Sequence, residues 1–232
     1  MPSTTYHASD FVQAAARLSV TITVGTDGQQ ALQKIAPEST ITLDFKDLVG
    51  ACDRVEEFHR RFPIDAVVAT DDETTVLAAA VGEALGLAHN PVEAVLPTRS
   101  KLTLRRALYD ARLPSPGYQV IDLAPGFTSQ CKEERISRLG TAVQEALKCT
   151  ANSVDGISFP CVLKPTFLSA SRGVIRVDDT GSFRQAARRI ADILHEESAA
   201  GGGSNESHLI LVEDYVPGVE YAIEAIITKG SV

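Results

Sequence analysis

The chain has 232 residues, of which 44% are hydrophobic and 22% are charged, and this balance supplies enough apolar surface for a packed core and excludes wholesale disorder. Its formal net charge is −8 and no dense stripe of Lys or Arg is present, so nucleic acid is not an expected partner. A phosphate-bearing small molecule is still compatible with an acidic chain, because its binding depends on a few well-placed donors.

Neither the cysteines nor the apolar segments indicate an extracellular or membrane protein. The four cysteines form no CxxC pair and have no His at ligand spacing, which argues against structural zinc and favours reduced thiols: Cys52, Cys131, Cys149 and Cys161. The first ten residues lack the basic start and apolar centre of a signal peptide, and Glu83 interrupts the longest apolar stretch. We therefore expect a cytoplasmic protein without a membrane-spanning segment.

In the first half of the chain, segments with helical periodicity alternate with β-branched, strand-like segments. This alternation predicts α/β layers around a doubly wound parallel sheet. In chain order, the predicted elements are helix 8–18, strand 20–26, strand 40–45, helix 47–62, strand 64–70 and helix 73–87. Ligands of such sheets lie beyond the carboxyl ends of the strands, here near residues 25–27 and 70–73. No strand precedes the first helix, so we expect the first element of the sheet to be missing from this chain.

A Pro-punctuated segment near residue 98 predicts a domain boundary, with a first domain at 1–97 and a second at 98–232. The second domain reads as α+β with an antiparallel sheet. Its predicted elements are a strand at 117–121, helix 131–147, strand 160–165, strand 173–177, helix 182–196, strand 208–216 and strand 220–228.

Lys164 lies in the strand-like segment "FPCVLKP", where alternation puts Val162 and Lys164 on one face and Cys161 and Leu163 on the other. An ammonium on a half-buried strand is costly unless it meets an anion, and a nucleotide phosphate is one candidate. A lysine at the end of a strand that reaches out to water is the open alternative.

The segment that follows, "SASRGV", consists of small or flexible residues that can bring backbone N–H groups close to phosphates. An ordinary hairpin turn would have a similar composition. No GK[ST] sequence and no GxGxxG after a strand is present, so neither a P-loop nor a dinucleotide fingerprint is indicated.

Further along, "LILVEDYVPGVEYAIEAI" combines an apolar strand, the acidic pair Glu213 and Asp214, and a turn at Pro217 and Gly218. Such a connection resembles a hinge whose backbone can read an adenine edge and whose carboxylates can accept from a ribose. Glu220 is the carboxylate that we expect at the ribose, with a solvated edge-strand glutamate as the alternative. Lys101 alone reads as a solvated helical lysine.

Together, "SKLTLRRALYDARLPSPGY", "FPCVLKP", "SASRGV" and "VEDYVPGVEYAIEAI" resemble the ATP-grasp superfamily in order and separation, along residues 98–230. The preceding α/β half is similar to the pre-ATP-grasp domain of the same enzymes. The resemblance within the family is to carboxylate-amine ligases, which use ATP and Mg²⁺ to convert a carboxylate into an acyl phosphate that an amine attacks. It implies a small carboxylate and an amine as substrates.

The resemblance also implies roles for individual residues. Two lysines would contact the nucleotide phosphates: Lys101 and Lys164. A loop would cover these phosphates: Ser169, Ala170, Ser171, Arg172 and Gly173. The adenine would lie against the hinge: Glu213, Asp214, Tyr215 and Val216. Glu220 would hold the ribose. No catalytic residue is assigned.

Two features of the sequence depart from the family pattern. Ala170 stands where a second glycine is expected, which predicts a stiffer loop. The chain ends at Val232, before the segment that carries the Mg²⁺ ligands in the family, so we expect a truncated and catalytically incomplete chain. A non-catalytic nucleotide-binding module and a fragment of a biotin-carboxylase-like or carbamoyl-phosphate-synthase-like enzyme remain alternatives. The oligomeric state, including a homodimer, is open.

Overall fold

The computed structural model describes residues 8–28, 37–123, 139–146, 158–200, 204–225 and 227. The chain divides into two compact units, Met1–Ala107 and Leu108–Val232. The boundary that we predict between residues 97 and 98 separates functional domains and not compact units. It therefore stays a prediction. No helix in the described part of the chain is long and apolar enough to cross a bilayer.

The first unit contains a small parallel sheet with helices. Strand β1 pairs in parallel with strand β2, and Gly25 lies opposite Ile41. In chain order, the elements are α1 (Ala8–Leu18), β1 (Val24–Thr26), β2 (Thr40–Thr42), α2 (Leu48–Arg61), a 3₁₀ turn (Asp72–Thr74), α3 (Thr75–Ala84), α4 (Val92–Val95), a second 3₁₀ turn (Leu96–Arg99) and α5 (Lys101–Asp110), whose last three residues lie beyond the first unit.

Helix α2 is stabilised by local capping and by burial of an apolar face. The Asp47 side chain accepts from the Gly50 N–H at 3.0 Å, and His59, Arg60 and Arg61 occupy the last turn, where positive charge suits the helix dipole. Residues of α2, α3, β2 and the position just after β2 share the buried core: Ile41, Leu43, Ala51, Val55, Leu77 and Val81.

The strand predicted at residues 64–70 is wrong: this segment forms no strand. Its composition is strand-like, but a strand also needs a hydrogen-bonded neighbour, and within the described residues β1 and β2 pair with each other alone. Val68 is 69% exposed, so the apolar run is only partly buried. Whether residues 64–70 form a strand depends on hydrogen bonds to a neighbouring strand, and the composition of the segment does not determine these.

The second unit is built around a four-stranded antiparallel sheet of order β3-β6-β4-β5. In chain order, its elements are β3 (Tyr118–Asp122), helical residues 139–146, β4 (Cys161–Pro165), β5 (Ile175–Val177), α6 (Thr180–Ala199) and β6 (Leu209–Asp214). The predicted helix 131–147 is helical where it is described. An α/β unit followed by an α+β unit is the arrangement that the sequence predicts.

Helix α6 covers one face of this sheet. Asp179 caps it by accepting from the N–H groups of Gly181 at 2.7 Å and Ser182 at 2.9 Å, which lowers the pKa of Asp179. Residues at helical spacing on α6 are buried against the strands: Phe183, Ala186, Ala187, Ile190, Ala191 and Leu194. Each large side chain of this set stabilises the fold by about 1.5–3 kcal/mol.

The strand predicted at 220–228 is also wrong for its described part. Residues 220–225 form no strand, and Tyr221 and Ile223 are 80% and 87% exposed. The alternation of apolar and polar residues is that of a strand, but no partner strand lies beside it within the described residues. The described part of this segment therefore lies outside the sheet.

Candidate nucleotide-binding site

Strand β4 carries two different faces. Cys161 and Leu163 are buried against the helical layer, whereas Val162 and Lys164 are only partly covered. This is the alternation that the sequence predicts for a strand covered on one side. The face that carries Lys164 is thus distinct from the one that packs on the helical core.

Strand order decides which side chains join Lys164 on that face. Residues directly opposite each other across a ladder share a face, and Val162 lies opposite both Glu213 on β6 and Arg176 on β5. Glu213 in turn lies opposite Tyr118 on β3. We call the side of the sheet without α6 the site face, formed by Tyr118, Val120, Val162, Lys164, Arg176, Leu211 and Glu213.

The central feature of the site face is an ion pair. Lys164 Nζ lies 2.5 Å from Glu213 Oε2, and the two side chains are 15% and 5% exposed. Removing two charges from water costs more than an average pair returns, so a pair this well covered is weak evidence for stability. An ammonium has three donors and Glu213 takes one, so an anion such as a phosphate oxygen can join the same nitrogen.

The 169–173 loop, between β4 and β5, has an unusual backbone. Ala170, Ser171 and Gly173 have φ of 53°, 56° and 73°, in the left-handed region that L residues seldom adopt. Hydrogen bonds from Arg172 N to Ser169 O, 3.2 Å, and from Val174 N to Ser171 O, 3.2 Å, close two tight turns. Ala170 therefore adopts the conformation for which a glycine is expected at this position.

Two contacts tie this loop down. A Cβ added at Gly173 would lie 3.0 Å from Pro165 Cγ, so the backbone there packs closely on the end of β4. The Arg172 guanidinium donates to Glu197 on α6 at 2.6 Å. Arg172 is predicted to cover a phosphate, but here its Nη2 group binds a carboxylate of the same chain.

The segment after β6 is held by its backbone. The N–H of Asp214 donates to Gly117 O at 3.0 Å and the N–H of Tyr215 donates to Pro160 O at 3.3 Å. Val216 is 66% exposed, and within the described residues its N–H makes no hydrogen bond. That N–H is consequently open to a hydrogen-bond acceptor of a ligand.

Arg176, which the sequence analysis missed, packs against the hinge. Its guanidinium lies 4.2 Å from the centroid of the Tyr215 ring and donates to Asp178 at 2.8 Å. The hydrogen bond that Arg176 donates to Asp178 raises the pKa of Arg176, so this side chain stays charged. Alternation along "GVIRV" places Arg176 opposite Val162, but only strand order brings it beside Tyr215.

The structure gathers some of the predicted site residues and not others. Lys164, Glu213 and the 169–173 loop lie around the end of β4, while Glu220 is exposed beyond the hinge. Lys101 begins α5 and belongs to the first compact unit. Its contact with the same phosphates stays a prediction.

In the first unit, a surface cavity of about 620 Å³ lies at the carboxyl end of β1 and β2, one of the edges where a ligand is predicted. Its charged lining is mixed: Asp27, Asp44, Lys46, Asp47 and Arg54. Nowhere among the described residues do three or more His, Cys, Asp or Glu side chains cluster as metal ligands would. We therefore assign no protein ligand to Mg²⁺.

Two family models match the chain. The ATP-grasp N-terminal domain matches residues 12–89, and the ATP-grasp domain matches residues 157–231. A comparison with curated proteins found no significant match.

Solved structures with a similar fold include an L-amino acid ligase from Bacillus licheniformis, with TM-score 0.54 and 21% identity over 88% of this chain and 43% of the other. They also include the ADP complex of N5-carboxyaminoimidazole ribonucleotide synthetase, with TM-score 0.51 and 18% identity over 88% of this chain and 43% of the other. The chain thus spans less than half the length of either protein. These likenesses confirm the predicted fold class.

The two domain matches follow each other in the order that the sequence predicts: the N-terminal model falls on the α/β half, and the ATP-grasp model falls on strands β4, β5 and β6 of the sheet that carries Lys164. The chain belongs to the ATP-grasp family.

Proposed function

We propose that this chain binds ATP on the site face of the second unit and contributes that site to a carboxylate-amine ligase. Lys164 binds a phosphate, the 169–173 loop covers the phosphates, the hinge at 213–216 holds the adenine and Glu220 holds the ribose. One similar fold is an ADP complex and another is an L-amino acid ligase, which agrees with a nucleotide and a small acid as ligands.

The observation that carries this proposal is the position of Lys164. Its side chain is 15% exposed, on the sheet face opposite the core, and a loop with three left-handed residues begins five positions later. Strained backbone of this kind persists where the surroundings determine it, and it concentrates at ligand sites. A largely buried ammonium, followed in the sequence by a loop of small and mostly exposed residues, is suited to a polyphosphate.

The proposed reaction proceeds in two steps. A substrate carboxylate oxygen attacks the terminal phosphorus of ATP, which forms an acyl phosphate and releases ADP. An amine then attacks the acyl carbon, phosphate leaves, and an amide forms. In this scheme Lys164 and the loop N–H groups neutralise the phosphate charge as it develops and hold the reacting phosphoryl group in place.

Several finer statements belong to the proposal. The functional domains are 1–97 and 98–232, the first with the pre-ATP-grasp fold. Lys101 supplies a second phosphate contact, and Mg²⁺ accompanies ATP with protein ligands that we do not assign. The protein is cytoplasmic, and its substrates are a small carboxylate and an amine.

The test is ADP release by the purified chain with ATP, Mg²⁺ and a panel of amino acids and other small acids. The proposal predicts ADP formation that requires both an acid and an amine. Release that is independent of the acid, at the rate of a buffer blank, would count against ligase activity. A control with the chain, ATP and Mg²⁺ but without acid or amine measures contaminating ATPase activity.

A second candidate function is a nucleotide-binding module without turnover. The absence of a metal-ligand cluster among the described residues favours it, since phosphoryl transfer relies on metal neutralisation. Thermal stabilisation by ADP or ATP without turnover would support this candidate. Turnover would exclude it.

A further inference from the structure

We infer that Arg176 is a positioning residue for the hinge at 213–216: its guanidinium holds the ring of Tyr215, and through Tyr215 the backbone N–H of Val216, which distinguishes adenine from guanine. This inference rests on the proposed function of the hinge. Arg176 lies on β5, outside the segments to which the sequence analysis gave a role in binding the nucleotide. The inference therefore adds a residue that determines base specificity.

Arg176 lies on the face of the sheet where we place the nucleotide. It is directly opposite Val162 on β4, and Val162 is opposite Glu213 on β6. The pairing of β4 with β6 continues one residue further, because the N–H of Tyr215 donates to Pro160 O at 3.3 Å. Alternation from Glu213 then puts the Tyr215 side chain on the site face as well.

The Arg176 guanidinium links the end of β5 to the hinge after β6, across β4. Its Nε and Nη2 groups both donate to one oxygen of Asp178, at 3.1 Å and 2.8 Å. Its central carbon lies 4.2 Å from the centroid of the Tyr215 ring, which is the geometry of a cation–π contact. Asp178 thus fixes the guanidinium at a distance from which it attracts the Tyr215 ring.

Tyr215 lies where the chain leaves the sheet. It is partly buried and its backbone is bonded to Pro160, whereas residues 216–225 are all exposed. The N–H of Val216, which makes no hydrogen bond within the described residues, belongs to the peptide plane that joins Val216 to Tyr215. A contact that restrains Tyr215 therefore also restrains the direction of this N–H.

A fixed N–H at the hinge discriminates between purines. Ring nitrogen N1 is an acceptor in adenine but carries a hydrogen in guanine, and the group on C6 is an amine in adenine and a carbonyl in guanine. A backbone N–H that bonds adenine N1 therefore meets another donor in guanine, which leaves both unpaired. Loosening the hinge should lower the affinity for ATP more than the affinity for GTP, whereas losing a phosphate contact would lower both equally.

The test measures the Kd for ATP and for GTP by calorimetry, in the 232-residue wild-type chain and in variants whose fold is verified by circular dichroism. Arg176→Met removes the charge, and Arg176→Lys keeps it. Arg188→Met is the matched control, because Arg188 is an exposed arginine on α6, which covers the other face of the sheet. Tyr215→Leu, alone and combined with Arg176→Met, completes a double-mutant cycle.

We expect Arg176→Met to weaken ATP binding about two- to fivefold, because a cation–π contact of a half-exposed arginine is modest, and to weaken GTP binding less. Arg176→Lys should recover part of the loss, and Arg188→Met should change neither Kd. Once Tyr215→Leu has removed the ring, Arg176→Met should have no further effect on ATP binding.

Three results would overturn the inference and leave the nucleotide site standing: an unchanged Kd for ATP in Arg176→Met, equal weakening of ATP and GTP, or full additivity of Arg176→Met and Tyr215→Leu. A wild-type chain that binds ATP and GTP equally would likewise overturn the inference alone, since the hinge would then not distinguish the bases. A wild-type chain that binds neither nucleotide would overturn the proposed function itself.

Discussion

Lys164 on β4 and Glu213 on β6 bond directly to each other, with 2.5 Å between Nζ and Oε2. The residue predicted to bind phosphate and a residue predicted to face the adenine are therefore neighbours on one face of the sheet. Removing Lys164 alone would take the ammonium away from a carboxylate that is 5% exposed. Any test of the site must separate this stability effect from binding.

A double variant makes that separation. We expect Lys164→Met to lower the free energy of unfolding by about 3 kcal/mol, because the buried Glu213 carboxylate loses its partner. Lys164→Met with Glu213→Gln should recover most of the stability, since no buried charge remains unpaired. Urea unfolding checks both values. If the double variant were no more stable than Lys164→Met, the two side chains would not act as a pair.

Glu220 provides a test of the ribose contact. Glu220→Gln is expected to weaken ATP binding about three- to tenfold and to reduce the preference for ATP over 2′-deoxy-ATP, because a charged acceptor is lost. Glu224, which is also exposed four residues later, is the matched control. Kd values for both nucleotides in both variants decide the question, and equal discrimination by wild type and Glu220→Gln would refute the assignment.

Gly173 should not tolerate a side chain. Gly173→Ala places a Cβ at φ +73° and 3.0 Å from Pro165 Cγ, so we expect a loss of about 1–2 kcal/mol together with weaker ATP binding. Gly86→Ala is a control with φ +65° and no atom within 4 Å of the added Cβ. It should cost only the conformational part, about 1 kcal/mol, and leave binding unchanged. Equal losses of stability and of ATP affinity in the two variants would contradict the close contact between residue 173 and Pro165.

Cys161 predicts a dependence of stability on high pH. Burial raises the pKa of its thiol from 9.0 to about 11, with smaller contributions from Asp214 and Asp178. The folded state thus keeps a proton that the unfolded chain loses first, so this contribution is complete below pH 9 and disappears between about pH 9 and pH 11. The difference in unfolding free energy between wild type and Cys161→Ala should shrink by about 2 kcal/mol over that interval. A constant difference would contradict the shift.

Much of the second unit could be predicted from its sequence. Alternation in "FPCVLKP" put Lys164 on the face away from the core, and helical periodicity gave α6 with its buried stripe. Both patterns are local: they depend on the spacing of apolar residues within one element. The strands at 64–70 and 220–228 were predicted from the same kind of pattern and are wrong, because a strand needs a partner that its own residues do not specify.

The contacts that define the site were beyond prediction because they are long-range. Glu213 meets Lys164 only since β6 lies beside β4, and Arg176 meets Tyr215 only since β5 flanks β4 on the other side. Strand order follows from the packing of the whole unit. Arg172 and Glu197 likewise meet through the docking of α6, which the sequence of neither segment reveals.

The most direct test of the account is a calorimetric titration of ATP into the wild-type chain and into the Lys164→Met, Glu213→Gln double variant, with the fold of each verified by circular dichroism. We predict saturable binding of one ATP per wild-type chain and at least tenfold weaker binding, about 1.4 kcal/mol or more, by a folded double variant. Equal affinity in the two proteins, or no binding by the wild type, would contradict the nucleotide site on this face of the sheet.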